Sequence, residues 1–159
     1  MPYDHFAGCL LLRIGNDGPR GRDACQRRIR RPVRNRSRQP YTAADLDWTD
    51  RSSRSTKEMN DEASRPAMKV DAPPLDGYDT IFVGFPIWWY VEPRIIDTFL
   101  ESADFAGKII VPFATSGGSG LGKAPERMAS LTPGATVLPG KLLNGGPSDT
   151  TLRTWIENL

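Results

Sequence analysis

Two continuous apolar runs constrain the fold of this chain more than any other feature of its sequence. Residues 79–86 read DTIFVGFP and residues 108–115 read KIIVPFAT, and neither run alternates apolar with polar residues. Such runs are typical of strands that are buried on both faces, as in parallel sheets. Pro112 removes a backbone donor from the second run, which would favour an edge position or a bulge for that strand.

Helical patterns alternate with these runs. A crossover helix is predicted from Pro93, a favourable first helical residue, to about Ala103, because four apolar residues recur on one face: Ile95, Ile96, Phe99 and Leu100. A short helix at 124–129 and a third strand at about 136–143 follow. Ser148 can cap a last helix with one apolar stripe: Leu152, Trp155, Ile156 and Leu159. Upstream, the polar residues 41–69 contain two possible capping boxes, Thr42 to Asp45 and Ser55 to Glu58.

This order of elements predicts the fold class. Strands that alternate with helices indicate βαβ units, and hence an α/β fold with a doubly wound parallel sheet. A length of 159 residues is in the usual range of one domain. No apolar run approaches the ~18 residues that a membrane span needs.

Charge divides the chain near residue 39. Residues 1–39 contain ten Arg and three Asp, a formal charge of +7, whereas residues 40–159 have a formal charge of −5. Cys9, Cys25 and the single His5 also lie in the first segment, so residues 40–159 can form neither Cys/His metal sites nor Ser–His triads. Two cysteines give no disulfide framework, and residues 9–12 are too short for a secretory h-region, so we expect a cytoplasmic protein.

The candidate site consists of the two loops that follow the apolar runs. In open α/β sheets, ligands bind beyond the carboxyl ends of the strands. The first loop places adjacent aromatic rings there, and the glycines of the second let backbone amides approach a ligand closely. Each loop alone is unspecific, since a Trp pair is more often core or interface. The sequence contributes these residues: Pro86, Ile87, Trp88, Trp89, Tyr90, Thr115, Ser116, Gly117, Gly118, Ser119 and Gly120.

The segments YDTIFVGFPIWWYVEP and PFATSGGSGLGK resemble the short flavodoxin-like proteins of bacteria, as do PYTAADLDWTD, SRSTKEMND and PGKLLN. The resemblance runs from about Pro40 to the C-terminus. It implies a five-stranded sheet in the order 2-1-3-4-5, FMN at its carboxyl edge, and electron transfer with a redox partner protein or a small-molecule acceptor. It also implies that the eleven residues above line the isoalloxazine ring and tune its potentials. Nucleic acid and membranes are not expected partners.

Residues 1–39 do not show the family's first strand and phosphate loop, which hold FMN through backbone amides and hydroxyls. We expect this segment to be aberrant and disordered, with residues 40–159 as an incomplete flavodoxin-like domain that binds the FMN phosphate poorly. Codons for this segment can be chosen so that the frame one base later reads MTILLVAYFSASGTTAR, a buried strand followed by a phosphate loop. We therefore hypothesise that residues 1–39 are an out-of-frame reading of the family's N-terminus, which sequencing of the gene tests.

Other interpretations remain open. The Arg-rich segment could be an organellar transit peptide, a nucleic-acid-binding arm or a charged tail. The folded part could be a non-catalytic remnant or a protein-binding module that uses Trp88, Trp89 and Tyr90. A hydrolase that uses Ser119 is poorly supported, because GGSGL does not complete a G-x-S-x-G elbow and His5 is the sole possible base.

Overall fold

The computed structural model describes the backbone of residues 8–12, and residues 36–69 and 75–159 with their side chains. The expected disorder of residues 1–39 therefore concerns a segment that lies largely outside the described residues, as do Cys25 and His5. The elements in chain order are β1 (Gly8–Leu12), α1 (Arg54–Asn60), β2 (Thr80–Pro86), α2 (Arg94–Glu101), β3 (Ile109–Thr115), α3 (Ala124–Leu131), β4 (Thr136–Val137), β5 (Lys141–Leu142) and α4 (Asp149–Glu157).

The centre of the fold is a parallel pair of strands. β2 and β3 pair in parallel over their full lengths, from Thr80 opposite Ile109 to Pro86 opposite Thr115. β4 and β5 both lie on the other side of β3 and are parallel to it. The predicted α/β fold with a parallel sheet is confirmed. The expected strand order is 2-1-3-4-5, and the described strands follow this order without strand 2.

β1 differs from the expectation that the chain lacks a first strand. Gly8–Leu12 lies on the free edge of β2, where that strand is expected, but it is antiparallel: Gly8 is opposite Gly84 and Leu12 is opposite Thr80. A short apolar segment is sufficient to pair with the exposed backbone groups of an edge. β1 therefore ends beside the first residue of β2, at the end of the sheet that lies opposite to the carboxyl ends of β2 and β3.

Both faces of the sheet are covered, which explains why the two apolar runs do not alternate. One face of β2 packs with α2 and α3 in the main core, which contains Ile81, Val83 and Phe85. The other face, with Phe82 and Val111, packs against α4, where the Phe82 and Trp155 rings meet edge to face with centroids 5.7 Å apart. Burial of these side chains is the main stabilisation of the sheet.

Pro112 lies inside the sheet, although a proline within a strand favours an edge position or a bulge. The carbonyls of Lys108, Ile110 and Ala114 all accept bonds from the β4 and β5 side, so the nitrogen of Pro112 faces that side as well. Between β4 and β5 the chain leaves the ladder at Gly140, whose φ is 77°. Pro112, which has no N–H to donate, thus faces the gap between β4 and β5. The prediction of a single strand at 136–143 is wrong, because two short strands form instead.

The helices follow the prediction with small corrections. Pro93 is the N-cap of α2 rather than its first residue, and Ser53 rather than Ser55 caps α1. Thr42 and Asp45 do form a reciprocal capping box, but only turns follow it. Ser148 caps α4 as predicted, whereas Leu159 lies beyond that helix and is 49% exposed. None of the described helices is long and apolar enough to cross a membrane.

Candidate functional site

The loops that follow β2 and β3 lie side by side at the carboxyl edge of the sheet. The amide of Ile87 donates to the carbonyl of Thr115 (2.9 Å), and the amide of Lys123 donates to the carbonyl of Tyr90 (3.2 Å). Gly122 has a φ of +57°, and a Cβ atom there would collide with the Tyr90 carbonyl oxygen. The two loops therefore lie side by side, as predicted, and backbone contacts hold them together at both ends.

The aromatic loop, residues 87–92, contains a tight two-residue turn. Trp88 and Val91 exchange two backbone hydrogen bonds of 2.9 and 3.1 Å across it. The central residues, Trp89 and Tyr90, have φ values of 47° and 67°. Such turns normally contain Asn-Gly or a similar pair, because side chains other than those of Gly and Asn are strained at positive φ. Strain of this kind, ~1–3 kcal/mol per residue, is characteristic of functional sites.

Trp88 packs on Tyr41. The two rings meet edge to face, with centroids 5.5 Å apart and planes at 87°. The guanidinium of Arg54 lies 4.1 Å from the centre of the Tyr41 ring and also bonds to Glu58 (2.6 Å). The Tyr41 phenol donates to Glu58; its burial and this hydrogen bond raise the pKa of the phenol far above its usual value. Tyr41 therefore fixes the first residue of the aromatic turn.

The serine-glycine loop, residues 116–122, is held by local hydrogen bonds. The Ser116 hydroxyl accepts from the amides of Gly118 and Ser119 and lies 2.9 Å from the Ser119 hydroxyl. Asn144 follows β5, and its side chain accepts from the Ser116 amide (2.8 Å) and donates to the Ser116 carbonyl (2.9 Å). These bonds fold the loop into a compact turn with its hydroxyls next to the aromatic residues.

An open groove of about 350 Å³ lies between the two loops. Most of the predicted site residues line it: Ile87, Trp89, Tyr90, Ser116, Gly117, Gly118 and Ser119. The structure does not bring the remaining predicted residues, Pro86, Trp88, Thr115 and Gly120, into the lining. Pro86 and Thr115 are the last residues of their strands, and Trp88 is turned toward Tyr41.

A buried cluster of charged residues lies at the end of the aromatic loop. Glu92 and Asp97 both have fully buried side chains. Arg127 of α3 donates to both, at 3.0 Å to Glu92 and 3.2 Å to Asp97, and Arg94 donates to Asp97 at 3.3 Å. Burial raises the pKa of Glu92 to about 8, with a further contribution from the nearby Asp97 carboxylate.

Sequence reasoning missed these supporting residues. Asn144 could have been found, since it follows a strand at the same edge as the predicted loops. Tyr41 and the Glu92 cluster carry no comparable signal, because their partners lie far away in the sequence. Among the residues that the structure describes, no group of three or more His, Cys, Asp or Glu side chains could hold a metal ion.

Comparisons with known proteins agree with this architecture. A flavodoxin family model matches residues 5–159, starting upstream of the segments whose resemblance was noted above. A candidate flavoprotein of Bacteroides uniformis shares 50% identity over 79% of this chain and 80% of its own, with a TM-score of 0.74. A second, from Bacteroides eggerthii, shares 43% identity over 79% of each chain, with the same TM-score. No curated protein matches. The fold and the matched range together show that this chain belongs to the flavodoxin family.

Proposed function

We propose that this chain is an FMN-binding redox protein, an electron carrier or a flavin-dependent oxidoreductase, whose phosphate-binding half is impaired. The observation that supports this proposal best is the groove between the aromatic and serine-glycine loops. It combines exposed flat rings with a polar loop at the carboxyl edge of a parallel sheet, where this fold class binds its ligands. The family match and the two Bacteroides relatives support the flavin.

The lining of the groove fits the ring of a flavin. Trp89 and Tyr90 are 41% and 69% exposed, so their apolar faces are available to a planar ligand. Gly117 and Gly118 have open space where a side chain would be, which leaves room for a ring edge. Bound FMN would supply the electron transfer itself, while these residues bind and orient the ring and exclude water from it.

The direction of β1 supports the proposal that phosphate binding is impaired. A parallel first strand would deliver the following loop to the carboxyl edge, where backbone amides bind a phosphate. β1 runs the other way, so its last residue, Leu12, lies beside Thr80 at the far edge. Seven residues of β2 separate the two edges, a distance of roughly 20 Å at the rise of an extended strand. No described strand delivers a phosphate loop to the groove.

The test compares FMN with riboflavin, which has the same ring but no phosphate. Each is titrated into the purified chain while the quenching of flavin fluorescence is measured. We expect weak binding of both, with affinities that agree within a factor of about three, since the ring contributes and the phosphate does not. Tight, micromolar binding of FMN but not of riboflavin would contradict the impaired phosphate site.

A repaired chain is the matched control. Its residues 1–39 are replaced by the frame-shifted reading that begins MTILLVAYFSASGTTAR, and residues 40–159 are unchanged. We expect FMN to bind at least ~30-fold more tightly than riboflavin, about 2 kcal/mol, because phosphate contacts are restored. A repaired chain that folds but binds neither flavin would refute the proposal.

A non-catalytic protein-binding module is the second candidate. Trp48 is 73% exposed, and together with Trp89 and Tyr90 it gives the surface unusually large apolar side chains. This function predicts that even the repaired chain stays colourless. Our primary proposal includes a redox partner, which is either a protein or a small molecule. It also includes a cytoplasmic location.

A further inference from the structure

Two buried carboxyl oxygens behind the aromatic loop have no donor. Glu92 Oε2 and Asp97 Oδ1 accept no hydrogen bond from any described residue, although both side chains are fully buried. The two carboxyl groups lie within hydrogen-bonding distance of each other. Two buried acceptors without a donor are unfavourable, because each loses its hydration without compensation.

The surrounding charges leave these two oxygens unsatisfied. Arg127 reaches Glu92 through Oε1, and Arg127 and Arg94 both reach Asp97 through Oδ2. Arg65 lies 3.9 Å from the same Asp97 Oδ2 and pairs mainly with Glu101 (2.7 Å). Glu62, whose side chain is exposed, lies 3.9 Å from Arg127. Every one of these guanidinium contacts to the pair therefore uses Glu92 Oε1 or Asp97 Oδ2, and none reaches Glu92 Oε2 or Asp97 Oδ1.

We propose that Glu92 and Asp97 share one proton between Glu92 Oε2 and Asp97 Oδ1, the two oxygens without a donor, and so form a proton-binding site at the base of the aromatic loop. A proton on Glu92 Oε2 donates to Asp97 Oδ1, which satisfies both atoms with one hydrogen bond. This assignment does not depend on the proposed flavin function.

The site holds the aromatic loop in place. Glu92 is the last residue of that loop, Asp97 lies in the first turn of α2, and Arg127 belongs to α3. The shared proton thus joins the loop to α2, and Arg127 joins it to α3. The Lys123 amide also holds Tyr90 at the start of α3. When the proton is lost, the buried pair gains a negative charge, which weakens this attachment.

The pH dependence of the stability of the full chain tests whether this proton is bound. Glu92 in the folded chain has a pKa near 8, against 4.5 for the free side chain, so the folded state binds one more proton between these values. The folded-to-unfolded ratio should therefore fall by up to tenfold for each pH unit from about 4.5 to about 8, and then level off. Glu92→Gln keeps a donor to Asp97 and an acceptor for Arg127, yet cannot titrate, so this fall should disappear.

Glu126→Gln on α3 is the control, because it removes an exposed carboxylate next to the cluster. Its profile should match that of the native chain. If native and Glu92→Gln chains show the same dependence on pH in urea unfolding, the proposal is wrong.

Infrared spectroscopy of the native chain provides a test that needs no variant to fold. The carbonyl band of a protonated carboxylic acid should be present at neutral pH, shift when the glutamate carboxyls are isotopically labelled, and vanish at about pH 10. Its absence at neutral pH, or its persistence in a folded Glu92→Gln chain, would overturn the proposal.

Discussion

The two loops that border the groove are fixed in different ways. The aromatic loop is held from outside: Tyr41, Arg127 and the Lys123 amide reach it from three other parts of the chain. The serine-glycine loop is held mainly by its own Ser116 hydroxyl and by Asn144. The ring surface is therefore rigid and strained, whereas the polar side of the groove depends on a few exposed hydrogen bonds. Such a division suits a flat ligand that needs a fixed stacking surface and an adaptable polar edge.

The largest effect on stability is expected from a change at the contact between the two loops. Gly122→Val places a β-branched side chain at a φ of +57° and against the Tyr90 carbonyl oxygen. We expect the free energy of unfolding to fall by about 3 kcal/mol, because the residue is strained and the loops must separate. Urea unfolding measures this loss.

Gly118→Ala serves as the control within the same loop. A Cβ atom there has no neighbour within 4 Å, and its φ does not lie in the left-handed region. Its stability should change by less than ~0.5 kcal/mol. Equal losses in the two variants would mean that close contact between the loops does not hold the groove together.

These two loops also separate what the sequence could predict from what it could not. The buried strands and the adjacency of their loops follow from apolar runs, because parallel strands bring their carboxyl ends to one edge. The sequence predicts Trp88 in the groove with Trp89 and Tyr90, whereas in the structure Trp88 packs on Tyr41. The tight turn after Trp88 has positive φ at two non-glycine residues, which no local sequence pattern encodes.

Relief of the strain in the aromatic turn should raise stability and reduce binding. In the double variant Trp89→Asn with Tyr90→Gly, the turn receives the residues that its backbone favours. We expect a gain of about 1–2 kcal/mol in the free energy of unfolding. Flavin affinity of the repaired chain should fall at least ~tenfold, because the stacking rings are removed.

The exposed Trp48 provides the comparison for this variant. It is 73% exposed and lies outside the strained turn, so Trp48→Asn should leave both stability and flavin affinity nearly unchanged. A double variant that is less stable than the native chain would show that the rings stabilise the turn rather than strain it.

The Tyr41 cluster should contribute less than the turn. Tyr41→Phe removes the hydrogen bond to Glu58 but keeps the ring that Arg54 and Trp88 contact. We expect a loss of about 1 kcal/mol, since Glu58 retains its bond to Arg54. Thermal unfolding can compare it with Tyr41→Leu, which also loses both ring contacts and should cost more. If the two variants are equally stable, the ring does not position Trp88.

The smallest effect on stability is expected at Asn144. Asn144→Ala removes two hydrogen bonds to Ser116, but the side chain is exposed, so water replaces both partners and the cost is below ~1 kcal/mol. Binding should suffer more than stability, because a loosened Ser116 must be ordered again when a ligand enters. Asn158→Ala at the end of α4 removes one comparable exposed bond, to Thr154, and should lower stability without any loss of flavin affinity in the repaired chain. If both asparagine variants bind flavin equally well, the polar edge of the groove is not organised by Asn144, and the serine-glycine loop must be held by Ser116 alone.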